Sequence, residues 1–267
     1  MAVKVQRALY ATVVFTSSYI AAVYINRLAV LLMSVSFGYY PHVHFWGISG
    51  WSLSYIEWSR MRVLLIFSSG TIALLFTALL IGILYKDISP KWQLVKFFFL
   101  WLFIHCLALV GGNIGGSIIG FEEYNSVYYD NFSVIFNWWG ISVALLYATV
   151  AVYAVLFLIA GYFFATKLLR FSHSGRLASK HSGRLQLLIQ FYVLPAILGM
   201  ALILPFSFET VFYPTCHLLA LTLLLIGMIF RISDYYQLSV YRADIASGRP
   251  WVVFLFSVLF LLPVLNK

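Results

Sequence analysis

The stretch Trp101–Gly120, WLFIHCLALVGGNIGGSIIG, decides how the rest of the chain is read. It is apolar throughout and, as a helix, about long enough to cross a hydrocarbon core of about 30 Å. His105 lies near its middle, and five glycines crowd toward one end. Gly111 and Gly115, Gly112 and Gly116, and Gly116 and Gly120 are each four apart, so their bare faces stack into a groove that admits a second backbone. Asn113 sits inside the glycine run, with His105 two turns before it. Both side chains need hydrogen-bond partners in a medium without water. One reading makes them cross-helix ties in a tightly packed bundle. The other makes them a ligand or proton-handling site in a glycine-loosened helix, or in a break that lines a cavity.

The whole chain shares this character. Of 267 residues, 63% are hydrophobic and 9% are charged, against roughly a quarter charged in soluble domains. No polar stretch is long enough to enclose a core of its own, so 1–267 reads as a single transmembrane domain. Cys106 and Cys216 each lie in or at the edge of an apolar span beside a histidine. Neither CxxC spacing nor a disulfide framework is present.

Outward from the glycine helix, which starts at Lys91 or Trp92 and ends at Ile119, the spans follow from apolar length. Before it lies Val63–Tyr85. After it come Trp138–Ala165, Leu187–Phe206, Pro214–Phe230 and Pro250–Leu265. At the start, Lys4 and Arg7 precede an apolar run from Ala8, the pattern of a signal anchor and first span. Arg27 poses a choice there. A helix running on to Ser36 would carry Arg27 toward mid-bilayer, with no carboxylate in any other span to meet it. The expectation is therefore a span Ala8–Ile25, with Arg27 at the interface and Leu28–Gly38 lying along or dipping into the membrane.

The connector Tyr39–Arg62 is rich in tyrosine and tryptophan, as an interfacial belt is. His42 and His44 within it point to one side if the segment is extended, and with His217 they form the candidate metal set. Residues 167–186 hold the pentapeptide His-Ser-Gly-Arg-Leu twice, at 173–177 and 181–185. This basic connector is expected to lie on anionic lipid headgroups.

Orientation follows from charge. With seven spans and the N-terminus inside, all but Arg27, Arg60, Arg62 and Lys267 of the 17 lysines and arginines fall on the inner side. The net charge of +9 thus has its explanation at a membrane surface and calls for no nucleic acid. His42, His44, Cys216 and His217 fall on or near the outer face, with Glu57, Glu122, Glu123 and Glu209. Phosphate-binding loops, a serine nucleophile elbow and the dinucleotide fingerprint are absent, since GGNIGG lies within an apolar span. No lysine in the last spans offers an attachment point for retinal.

Trp58, Arg62, Gly70, LVKFFFLWLFIH at 94–105, GGNIGG at 111–116 and FNWW at 136–139 together resemble a family of uncharacterised bacterial polytopic membrane proteins. The resemblance covers about a third of the chain. That family is in turn distantly similar in layout to membrane-embedded zinc proteases. Such a protease needs His-Glu-x-x-His to hold zinc and supply a base. The corresponding place here reads Ile25-Asn26-Arg27-Leu28-Ala29, so the resemblance implies the architecture without that chemistry.

The sequence thus predicts an all-α, polytopic bundle of about seven spans, six to eight, in a bacterial inner membrane. Its expected role is a non-enzymatic subunit or scaffold that packs against partner membrane chains through the glycine groove (Gly111, Gly112, Gly115, Gly116) and Arg27. The alternatives are a small-solute or ion transporter with its site at His105 and Asn113, and a metal-dependent intramembrane enzyme using the outer-face histidines. No cofactor is named by any motif.

Overall fold

The computed structural model describes residues 2–43, 48–49, 58–89, 91–122, 132–172, 175–206 and 212–233. Among them the chain is an all-α bundle with six helices long and apolar enough to cross a membrane, which makes it a multi-pass membrane protein. The predicted span Pro250–Leu265 lies outside the described residues.

Helix α1 (Ala2–Ser36) is one helix of 35 residues, about 52 Å long by its rise. The expected end at Ile25 is therefore corrected. No glycine or proline interrupts residues 2–36, and a buried Arg27, 5% exposed, removes the reason to break the helix there. Arg27 lies 20 positions beyond Arg7, about 30 Å along the axis, which is one hydrocarbon thickness. The helix stops at Gly38, whose φ of 82° lets Gly38 N donate to Val35 O and Tyr39 N to Ser34 O, a Schellman closure.

A two-residue antiparallel pairing, β1 (His42–Val43) with β2 (Ile48–Ser49), follows. Helix α2 (Arg60–Leu84) begins at the N-cap Ser59, whose Oγ accepts from Arg62 N. Helix α3 (Gln93–Glu122) runs unbroken through the glycines. Helix α4 (Phe132–Trp139) is separate from α5 (Val143–Leu169). The expected fourth span from Trp138 therefore starts later. Gly140, at φ 65°, closes α4, and Ser142 caps α5 by accepting from Leu145 N.

The fifth span is composite. After α6 (Gly175–Ser179), α7 (His181–Leu188) passes through a π-helical turn, Ile189–Val193, into α8 (Leu194–Ile203). Pro195 explains the turn. It has no N–H for the carbonyl of Phe191 and its ring crowds that carbonyl, so the helix widens there. The second pentapeptide copy thus opens the fifth span, where the connector had been expected to continue. Helix α9 (Phe212–Ser233) is the sixth span.

The core forms where α1 meets α3 and α8 and where α3 and α5 meet α9. Gly161 on α5 faces the backbone of Leu224, and Gly227 on α9 faces the backbone of Leu158. A Cβ at either place would overlap a carbonyl, so this reciprocal pair sets how closely α5 and α9 approach. A smaller cluster, Val30, Tyr39, Val63, Ile66, Phe67 and Ile135, closes the far end between α1, α2 and α4, with Trp58 stacked on Tyr39 at 4.5 Å.

Candidate functional site

Three helices each bring a pair of residues four apart to one place in the core. Phe15 and Tyr19 come from α1, Trp101 and His105 from α3, and His217 and Leu221 from α9. Spacing of four puts each pair on one helix face. The rings form a column. Tyr192 stacks on Trp101 at 5.2 Å, Trp101 on His105 at 5.4 Å, and His105 on His217 at 5.1 Å. Phe15 meets Trp101 and His105 edge-on, and Tyr19 meets both histidines edge-on. The π-helical turn carries Tyr192 into line, and its hydroxyl donates to Leu221 O at 2.7 Å.

The hydrogen bonds within the column fix their own direction. A carbonyl only accepts, so His105 Nε2 carries the proton and donates to Phe15 O at 3.1 Å. In a neutral ring Nδ1 is then the acceptor, and His217 Nε2 donates to it at 3.0 Å. His217 Nδ1 remains as a bare acceptor with no hydrogen-bond partner among the described residues. Both histidines are fully buried. Asp87 is the one carboxylate whose side chain is described, and it lies at the exposed end of α2, so no described acid stands beside the pair. The arrangement ties α1, α3 and α9 together with neutral donors and acceptors.

Asn113 is tied elsewhere. Its Nδ2 donates to Thr71 Oγ1 on α2 at 3.3 Å. Eight residues separate it from His105, about 12 Å of rise and some 80° of turn, so the two face different neighbours. The structure does not bring His105 and Asn113 to one cavity. Arg27 is buried within the chain, and the adjacent Asn26 lies over Gly70 of α2, where a Cβ would overlap its side-chain oxygen.

Two of the groove glycines lie against the chain itself. Gly111 faces the rings of Tyr153 and Phe157 on α5, and a Cβ on Gly112 would lie 3.7 Å from Cys216 Cβ on α9. Tyr153 Oη also donates to Leu107 O at 2.9 Å, which fastens α5 to α3. Gly115 has nothing within 4 Å and lines a half-open apolar cavity of about 400 Å³ between α3, α5 and α9, with Val150, Tyr153, Cys216 and Leu219 among its walls. The surroundings of Gly116 lie outside the described side chains.

The candidate metal set is described only in part. His42 is exposed on β1, His217 is buried against His105, and His44 lies outside the described residues. Among the described residues no group of three or more histidine, cysteine or acidic side chains could hold an ion. His217 itself is packed in the core. The signal that pointed to its partner was available. Two histidines lie in or beside spans that contain no carboxylate, and each could answer the other. Tyr192 carried no such signal, because its place depends on the turn made by Pro195.

Compared with known proteins, the chain matches no family model, no curated protein and no solved structure. The family resemblance therefore stands on the quoted residues alone.

Proposed function

We propose that the chain is a non-enzymatic subunit or scaffold of a bacterial cytoplasmic membrane, in which the intramembrane histidines hold the bundle's shape. The observation that carries this reading is the hydrogen-bond chain from His217 through His105 to Phe15 O, which uses both nitrogens of His105 in cross-helix contacts. A transport site needs polar groups that converge on a path and can exchange partners. His105 and Asn113 diverge, and each is held by a different helix.

The surface left for a partner in this reading is the outer face of α5. Only 11% of that helix's most apolar window is buried, and Val152, Leu156, Ile159 and Phe163 lie exposed along it. Gly111 and Gly112, by contrast, already lie against the chain's own helices.

The experiment is purification in mild detergent followed by native mass spectrometry, paired with flux measurements on His105→Ala in liposomes. Stoichiometric recovery of another membrane protein, with a variant that is destabilised, supports the subunit reading. A lone wild-type chain that conducts a solute or ion, with flux abolished in a variant that still folds, overturns it in favour of a transporter.

A further inference from the structure

At the end of the bundle where α2 stops, α3 starts and α5 stops, two lysines share one ring and two further cations act on one of them. Lys96 Nζ lies 4.9 Å and Lys167 Nζ 5.9 Å from the centroid of Tyr85. Lys86 follows Tyr85 directly, and Arg170 is the C-cap of α5. Lys167 is within electrostatic range of Arg170, Lys86 and Lys96, and no described carboxylate is among the groups acting on it. Asp87, the nearest acid in sequence, is exposed beside Lys86.

Cations at this spacing repel one another, more strongly at the edge of hydrocarbon than in water. The negative end of α5 accounts for Lys167 and Arg170. It does not account for Lys86 and Lys96, which come from the end of α2 and the first turn of α3. Lys96 Nζ donates to Ile88 O at 2.9 Å, and the two ammonium groups share the face of Tyr85. Other polar atoms at this end have no hydrogen-bond partner among the described residues. Arg170 Nε is buried without a hydrogen-bond partner. Gln93 is 3% exposed, yet neither atom of its carboxamide has a partner. Gln93 precedes Lys96 by three positions and shares its helix face, and the positive end of the α3 dipole lies at the same place.

We propose that this cluster is a binding site for a phosphate group, presented by the headgroup of an anionic lipid at the membrane surface. A phosphate accepts from the Arg170 guanidinium while it offsets the charges of Lys86 and Lys167. Lys86 is exposed and Lys167 and Arg170 are partly so, which leaves the site open to the headgroup layer. The headgroup contact expected along 167–186 thereby narrows to Lys167 and Arg170, joined by residues from two other helices.

The test uses the full chain in nanodiscs of phosphatidylcholine with and without phosphatidylglycerol, read by native mass spectrometry of retained lipid. Wild type should hold phosphatidylglycerol. The double variant Lys167→Gln with Arg170→Gln should hold it roughly 10- to 30-fold more weakly, the worth of two basic residues at an anionic surface. Lys180→Gln, on the exposed connector, should change nothing. Melting in neutral detergent reports folding, and the double variant should be at least as stable as wild type because repulsion is relieved. Should it fail to fold, Lys86→Gln takes its place. Inorganic phosphate alone is a separate arm. If it stabilises wild type while phosphatidylglycerol does not bind, the headgroup as the source is overturned. Equal lipid retention by wild type and the double variant, or an equal loss with Lys180→Gln, overturns the site itself.

Discussion

His105 Nδ1 and His217 Nε2 stand 3.0 Å apart between α3 and α9, and the far nitrogen of His105 reaches Phe15 O on α1. One side chain therefore joins three helices. In hydrocarbon such ties are worth less than vacuum values suggest, because the separated helices find other partners. Measured cases average about 0.6 kcal/mol, with a maximum near 1.7 kcal/mol. The histidine pair adds geometry to this modest energy, since its rings also sit in the column that begins at Tyr192.

Tyr192→Phe separates those two contributions. It keeps the ring stacked on Trp101 and removes the bond to Leu221 O. Thermal unfolding in detergent should show a loss of about 0.5–1.5 kcal/mol. A loss above about 3 kcal/mol, the scale of a collapsed core, would mean that the hydroxyl does more than close onto α9.

The approach of α3 to α9 at Gly112 invites a covalent check. A Cβ on Gly112 would lie 3.7 Å from Cys216 Cβ, close to the disulfide mean of about 3.8 Å. Gly112→Cys in a Cys106→Ala background should form an intramolecular disulfide with Cys216 under mild oxidation, seen as a mobility shift reversed by reductant. Failure to cross-link in a folded protein would place α9 elsewhere.

Gly161 and Gly227 each face a carbonyl across the α5–α9 contact. Gly227→Val should push the helices apart and destabilise the protein by about 1–3 kcal/mol or more. Gly82→Val, where a Cβ would meet only the ring of Phe103 at 3.6 Å, should be much milder. Equal effects at both sites would remove the reciprocal glycine contact from the account.

The left-handed φ at Gly38 stops α1. Gly38→Ala should cost about 1–2 kcal/mol through backbone strain alone, since nothing lies within 4 Å of a Cβ there. An unchanged melting point would mean that the helix ends by another route.

The six described spans were legible because length and apolar composition decide them before any packing is known. Their ends were less so. Arg27 argues for ending the first span at Ile25, whereas the absence of glycine and proline up to Ser36 argues for continuity. What charge alone does not show is that Arg27 can be covered by the chain's own helices. The division at Gly140 was readable in principle, since a glycine followed by Ser142 is a stop and a start. The pairing of His105 with His217 depends on how two helices far apart in sequence are rotated about their axes, which spacing along one chain does not specify. Nor does spacing reveal that Gly111 and Gly112 serve the chain's own helices.

The most direct test is a double-mutant cycle on the histidine pair, with His105→Ala, His217→Ala and the double variant unfolded in the same detergent. If the pair is an interhelical tie, the two substitutions are coupled by roughly 0.5–2 kcal/mol, the double variant losing less than the sum of the single losses. Additive losses, with no coupling beyond error, would contradict the claim that these two residues hold the bundle together through each other.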